Sequence, residues 1–166
     1  MDRIDLNCDL GESFGAYRIG LDEEVVPHVT SVNIACGWHA GDPLVMEKTV
    51  AMAKKHHVAV GAHPGFPDLL GFGRREIKAS PDEVYAYVKY QLGALYAFAH
   101  SQGLEVQHMK AHGSLYNMAG KDIRLAEAMC RACRDFDSQL IILALAGSQM
   151  EQAAKELKSA ALAGRK

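Results

Sequence analysis

The chain opens with an alternation of apolar and polar residues that is typical of a β-strand. Ile4, Leu6 and Cys8 fall on one face of this strand, and Asp5, Asn7 and Asp9 fall on the other. Burying polar groups without partners costs about 1–3 kcal/mol each by mutational estimates. The polar face of the first strand is therefore predicted to look into a solvated pocket.

Four further strands alternate with helices along the rest of the chain. Short apolar runs predict strands at residues 31–36, 58–62, 106–110 and 140–145, the last of them fully buried. Apolar periodicity predicts helices from 42 to about 55, from 80 to about 102, from about 121 to 134, and from 148 onward. Asp42-Pro43 and two capping boxes, at residues 80–83 and 148–151, give three of the helix starts.

Five strand-helix units in series predict an α/β fold with a parallel sheet, either an open doubly wound sheet or a (β/α) barrel. No glycine-rich dinucleotide motif or phosphate loop favours the open sheet, so we expect the barrel. A closed barrel of this kind usually needs about 200 residues or more, and the chain has 166. Residues 1–166 are therefore expected to form one incomplete barrel domain whose open edge favours a homo-oligomer.

Composition favours small-molecule chemistry. Apolar residues make up 49% and charged residues 23% of the chain, and the net charge is −2, which argues against a membrane, disordered or nucleic-acid-binding protein. The N-terminus lacks the features of a signal peptide, so a cytoplasmic location is expected. Cys130 and Cys133 form a Cys-x-x-Cys pair, but they lie within a helical pattern and are interpreted as core residues.

Polar side chains follow four of the predicted strands at the ends where barrel enzymes carry their catalytic groups. The set comprises Asp9, Glu12, His39, His63, Lys110 and His112. We expect Asp9, Glu12, Lys110 and His112 to be catalytic, with Lys110 holding an anionic group or a developing oxyanion. Asp9, His39 and His63 would suit a divalent metal such as zinc or manganese, but imidazoles and carboxylates serve equally well in acid-base catalysis without a metal.

Other residues are predicted to hold the substrate. Asn7 and Asn33 share the inward face of the first two strands. The loop after His63 is rich in glycine and aromatic residues and has the composition of a lid or of a loop that grips the substrate. Its two arginines, Arg74 and Arg75, would suit a substrate carboxylate, unless one of them pairs with an acid of the same loop.

Four segments, residues 5–15, 33–43, 61–75 and 110–117, together resemble the LamB/YcsF family, the lactam utilization family to which the A subunit of 5-oxoprolinase belongs. The resemblance implies a seven-stranded (β/α) barrel of the glycoside hydrolase/deacetylase kind. It also implies ATP-dependent opening of 5-oxo-L-proline to L-glutamate together with subunits B and C. Because no phosphate loop is present, ATP is expected to bind largely through those partners.

The resemblance also bears on the site and on the length of the chain. Asp9, His39, His63 and His112 fall in the shared motifs, and deacetylase-like relatives hold a metal with an Asp and histidines. Family members continue with further strand-helix units after Met150, so a truncated product is expected here. Two alternatives stay open: a metal-dependent carbohydrate deacetylase, and a truncated binding module without catalytic activity.

Overall fold

A computed structural model describes residues 4–157 and 161–164 of the chain. Its sheet has six parallel strands paired in chain order. The strands are β1 (Asn7–Leu10), β2 (Ser31–Ala35), β3 (Ala59–His63), β4 (Val106–Met109), β5 (Ile141–Leu145) and β6 (Ala161–Gly164). The predicted α/β class with parallel strands in sequence order is confirmed.

Helices follow the strands, as right-handed strand-helix-strand units require. They are α1 (Asp22–Val25), a short 3₁₀ turn (Val26–His28), α2 (Pro43–Lys55), α3 (Pro81–Ser101), α4 (Gly113–Ala119), α5 (Ile123–Phe136) and α6 (Gln149–Glu156). Asp42, Ser80 and Ser148 cap α2, α3 and α6 through their side chains, as the sequence predicts.

Three elements differ from the prediction. β1 begins only at Asn7, so Ile4 and Leu6 precede the strand and are exposed. The helix α4 is short, starts at a glycine and has no side-chain cap, so it gives no sequence signal of its own. The strand β6 is not predicted because alanine and glycine, which make up most of it, have low strand propensity; its pairing with β5 defines it instead.

The hydrophobic core lies between the sheet and the helices. Val32, Ile34 and Val60 point outward from β2 and β3 into this core, where they join Val50 of α2 and Leu92 of α3. Cys130 and Cys133 of α5 are buried in the same cluster as free thiols, which confirms their interpretation as core residues.

The interior face of the sheet carries a different set of side chains. β5 is predicted to be fully buried, but only Ile142 and Ala144 are, while Ile141 and Leu143 are partly exposed and Leu145 is exposed. Ile141 and Leu143 border a small pocket together with His108. Only one face of this strand is covered by helices, which explains the difference. Among the described residues, no helix combines the length and apolar character needed to span a membrane.

Candidate active site

The ends of β1, β3 and β4 open onto a polar pocket of about 260 Å³. This volume suits a small metabolite, since drug-sized ligands fill about 300–1,000 Å³. The pocket is lined by Asp9, Glu12, His63, Arg74, Lys110, Ala111, His112, Gly113, Tyr116 and Asn117. The structure thus brings together the polar residues that follow separate strands in the sequence.

Three imidazole rings pack against one another beside this pocket. The rings of His39 and His112 are stacked, with centroids 3.7 Å apart and planes within 3°. His63 stands edge-on to both, at centroid distances of 5.3 and 4.9 Å. The Phe72 ring closes the group from the loop that follows β3. All three histidines are almost fully buried.

Backbone carbonyls determine which nitrogens of two rings carry hydrogen. Nδ1 of His63 lies 2.6 Å from the carbonyl oxygen of Lys110, and Nε2 of His112 lies 2.8 Å from that of Phe72. Carbonyl oxygens only accept hydrogen bonds, so each of these nitrogens donates. In the neutral rings, Nε2 of His63 and Nδ1 of His112 are then bare lone pairs, yet they lie 3.1 Å apart. Two such lone pairs repel unless a cation, a proton or a metal ion, lies between them.

Glu12 and His39 complete this group. Oε1 of Glu12 lies 3.5 Å from Nε2 of His39 and 3.8 Å from Nδ1 of His112. Both ring nitrogens of His39 are buried and have no hydrogen-bond partner among the described residues. One ligand atom each from Glu12, His39, His63 and His112, hereafter the imidazole cluster, lies within 4.8 Å of the other three.

The chemistry of the imidazole cluster fits a divalent metal ion. Burial lowers the pKa of His39, and burial with the charges of His39 and His63 lowers the pKa of His112 to about 4. These two rings are therefore neutral at neutral pH and keep the lone pairs that a metal needs. Nitrogen and carboxylate oxygen are the ligands that zinc takes in catalytic sites. Because one ring gives a metal ion one nitrogen, a metal would provide a partner for one of the two unpartnered nitrogens of His39.

Asp9 stands beside the cluster but is engaged by other partners. Its Oδ1 accepts hydrogen bonds from Nζ of Lys110 at 2.7 Å and Nδ2 of Asn33 at 2.6 Å. Its Oδ2 lies 3.5 Å from Nε2 of His63. Burial acts to raise the pKa of Asp9, but His63 and Lys110 together hold it well below its ordinary value. A carboxylate that holds its charge so firmly is a weak base, so Glu12 is the better candidate.

The two asparagines lie below the pocket rather than in it. Asn33 is fully buried, and Asn7 and Asn33 are hydrogen-bonded to each other. Neither is among the residues that line the pocket. This arrangement argues against the expectation that Asn33 contacts substrate, because every polar atom of its side chain is already occupied by the protein.

The loop after β3 forms one wall of the pocket and is hydrogen-bonded to α3. The buried side chain of Gln91 in α3 accepts a hydrogen bond from Gly65 N and donates one to Gly65 O. Arg75 forms an ion pair with Asp68 in the same loop, which removes it as a substrate ligand. Arg74 lines the pocket, with its guanidinium 5.6 Å from the Phe72 ring centroid.

Gly73 lets this wall approach the imidazoles. Its φ of +61° lies in the left-handed region, and a Cβ there would be 2.7 Å from Cβ of His39 and 2.9 Å from Cδ2 of His112. The preceding Phe72 also has a positive φ, of +53°, although it has a side chain. Its carbonyl is the one that accepts from His112. The loop thus holds backbone strain at the point where it orients one ring of the cluster.

Sequence reasoning misses the supporting parts of the site. Gln91 stands on the apolar stripe of α3, between Val88 and Leu92, and a polar residue in such a stripe signals an interior partner. The carbonyl of Phe72 gives no sequence signal, because its role depends only on where the backbone passes. The strand pattern places His108 on the inward face with Lys110 and His112, but it assigns no role to His108.

The chain is similar to known proteins over most of its length. The sequence profile of the LamB/YcsF family matches residues 4–164. The chain is 59% identical over 157 residues to a protein of Clostridium beijerinckii and 62% identical over 153 residues to one of Geobacillus thermodenitrificans, each named as the A subunit of 5-oxoprolinase. These matches cover 95% and 92% of the chain but only 62% and 59% of the relatives. The chain thus spans about three fifths of their length.

A solved structure shows the same fold. The crystal structure of a lactam utilization protein from Thermus thermophilus superposes with a TM-score of 0.96 at 48% sequence identity. The match covers 98% of this chain and 66% of that protein. With this likeness, the predicted (β/α)-barrel type of fold is confirmed for the part of the chain that the structure describes. The chain belongs to the LamB/YcsF family.

Proposed function

We propose that the chain acts as the A subunit of a 5-oxoprolinase, which opens the cyclic amide of 5-oxo-L-proline to L-glutamate with ATP and subunits B and C. The observation that carries this proposal is the 57–62% identity to relatives of that name over at least 92% of the chain. The polar pocket at the strand ends supplies a matching site for a small anionic substrate. The chain would contribute the hydrolytic groups.

Two cationic side chains suit the substrate. Arg74 lines the pocket and presents a planar guanidinium that matches a carboxylate in two parallel hydrogen bonds. We assign it to the carboxylate of 5-oxoproline. We assign Nζ of Lys110, which donates a hydrogen bond to Asp9, to the negative charge that develops on the lactam oxygen.

Glu12 is the proposed base. It takes a proton from the attacking water, the water oxygen forms a bond to the lactam carbon, and the bond from that carbon to the ring nitrogen breaks. The proton that Glu12 received passes to the departing nitrogen, which becomes the amine of glutamate. His112 is a poor acid in this scheme, because its ring is neutral and its only N–H is committed to the Phe72 carbonyl.

The imidazole cluster is the proposed site of a divalent metal, zinc or manganese. Glu12, His39, His63 and His112 would hold it, which replaces Asp9 of the sequence-based set by Glu12 and His112. A metal bound there supplies a Lewis acid that polarises the carbonyl or activates water. If Glu12 serves as a ligand, its second carboxylate oxygen stays available to accept the proton.

The energetic coupling is assigned to the partners. Amide resonance and easy ring closure both oppose hydrolysis of a five-membered lactam, so ATP is needed to drive the reaction forward. We propose that subunits B and C bind the nucleotide, and that the complex lies in the cytoplasm. The four free cysteines of the chain are compatible with such a reducing compartment. Self-association of the chain stays a prediction.

A reconstitution assay tests the proposal. The purified chain, subunits B and C, ATP and 5-oxo-L-proline are combined, and glutamate is measured with each component omitted in turn. Glutamate formation that requires every component is the expected result. No glutamate from the complete mixture would refute the proposal, and acetate release from an acetylated sugar without ATP would favour a deacetylase instead.

A further inference from the structure

A closed network of hydrogen bonds lies directly beneath the pocket. It centres on Asn33 of β2, whose side-chain amide uses both of its donors and both acceptor positions of its oxygen. Its Nδ2 donates to Asn7 Oδ1 at 2.5 Å and Asp9 Oδ1 at 2.6 Å. Its Oδ1 accepts from Asn7 Nδ2 at 3.2 Å and from His108 Nε2 at 2.8 Å. We refer to Asn7, Asn33 and His108 as the amide layer.

The orientation of the Asn33 amide depends on His108. Because Asn33 directs its oxygen to His108, Nε2 of that ring must carry the hydrogen. In the other tautomer Nε2 would be an acceptor, and the amide would turn to direct its NH₂ group toward the ring. The carbonyl oxygen of Asn33 would then face the Asp9 carboxylate, where two acceptors repel each other. The N–H of His108 therefore determines whether the amide of Asn33 donates a hydrogen bond to Asp9.

The fold places His108 for this contact. The β3–β4 register shifts between Val60, which pairs with Val106, and Gly61, which pairs with His108. The shift turns His108 toward the interior, as β-bulges beside active sites often do. Gly61 has no Cβ, and any Cβ there would collide with the His108 ring. The ring, 1% exposed, lies on the backbone of β3.

We propose that His108 and Asn33 are positioning residues for Asp9. His108 fixes the amide of Asn33, and Asn33 fixes the Asp9 carboxylate so that Oδ1 holds Lys110 while Oδ2 faces His63. Both are buried and line no part of the pocket, so they act only through Asp9. The effect on turnover rests on the function proposed above, whereas the tautomer of His108 does not depend on it.

Paired substitutions at His108 test the kinetic part in the complex with subunits B and C. Gln places an amide N–H near the position of Nε2, whereas Leu offers no donor. We expect His108→Leu to lower kcat about 10- to 100-fold with little change in KM, as the loss of a residue that orients a functional group usually does. His108→Gln should retain most of the activity, and His28→Leu, at an exposed position, should have no effect.

Two results would overturn the assignment. Equal losses of kcat in His108→Leu and His108→Gln, at a temperature where both are folded, would mean that the donor is irrelevant. A raised KM with unchanged kcat in Asn33→Ala would mean that Asn33 binds substrate after all. Thermal unfolding of each variant identifies the temperature range in which this comparison holds.

Nitrogen NMR of the ¹⁵N-histidine-labelled chain gives a readout that needs no activity. We expect His108 to carry its hydrogen on Nε2 in the wild type and to lose this fixed tautomer in Asn33→Leu. A hydrogen on Nδ1 in the wild type would contradict the positioning role. If the tautomer is as expected while the complete mixture forms no glutamate, the proposed function fails and the hydrogen-bond network stands.

Discussion

The interior of the sheet holds two polar layers with opposite character. In the amide layer, both donors and both acceptor positions of the Asn33 side chain have hydrogen-bond partners. In the imidazole cluster above it, Nε2 of His63 and Nδ1 of His112 lie 3.1 Å apart and would face each other as lone pairs in the neutral rings. His39 has two buried nitrogens without partners among the described residues. All the members of the two layers are buried except Asn7 and Glu12, which are half-buried.

This contrast indicates a structural role for the amide layer and a functional role for the imidazole cluster. The amide layer is complete with the atoms of the chain alone, so it can hold the strands in place and orient Asp9. The imidazole cluster is incomplete in the same sense, and buried polar groups without partners are costly. A bound group from outside the chain can remove this cost, and the donor set of the cluster fits a cation. The predictions below test this contrast and the loop beside it.

The largest effect is expected at the proposed base. Glu12→Gln keeps the size of the side chain but removes its ability to accept a proton, so glutamate formation should fall about 10²- to 10⁴-fold. The measurement is kcat in the complete complex with ATP. Glu24→Gln, an exposed acid of α1, is the matched control and should behave as wild type. Activity above about a tenth of wild type in Glu12→Gln, well outside the range expected for a lost base, would remove Glu12 from that role.

A substitution in the amide layer should lower the stability of the metal-free protein, whereas one in the imidazole cluster should not. Asn33→Leu leaves several buried groups without partners, at about 1–3 kcal/mol for each. His39→Phe keeps a stacked ring but removes two unpartnered nitrogens, so the metal-free protein should unfold at the same or a higher temperature. Thermal unfolding in the presence of a chelator measures both. A similar loss of stability in the two variants would contradict the proposed difference between the amide layer and the imidazole cluster.

A smaller effect is expected where the loop meets the cluster. Gly73→Ala adds a Cβ at a positive φ and against His39, and overpacking of this kind costs about 1–3 kcal/mol. Gly93→Ala in α3 is the matched control, since it meets no neighbour and should raise helix stability by about 0.5–1 kcal/mol. Denaturant unfolding gives both values. Equal effects of the two alanines would show that Gly73 has no steric role.

The smallest effect concerns acid sensitivity of the loop. Hydrogen bonding from Arg75 lowers the pKa of Asp68 to about 2, below its value of about 3.9 in an unfolded chain. The folded protein therefore gains stability from this pair above about pH 4 and loses it as the pH falls from about 4 to about 2. The difference in unfolding temperature between wild type and Asp68→Asn should shrink across that window. A difference that stays constant with pH would contradict the pairing.

The sequence predicts which residues meet at the site better than it predicts the hydrogen bonds and roles of those residues. Because parallel strands end on one edge, the positions of Asp9, His39, His63 and His112 are enough to expect a common rim. The division of labour between Asp9 and Glu12 is not accessible from sequence, since it depends on which carboxylate Lys110 and Asn33 reach. The tautomers of two of these histidines follow from backbone carbonyls, and no residue pattern encodes where those carbonyls lie.

Metal titration of the purified chain tests the central claim most directly. Isothermal titration with Zn²⁺ and Mn²⁺, with elemental analysis of the product, should show one ion bound per chain by at least one of the two metals. Binding should be lost in His39→Phe and retained in His108→Gln, because only the first removes a ligand of the imidazole cluster. Absence of binding by the wild type, or equal binding by His39→Phe, would contradict the account.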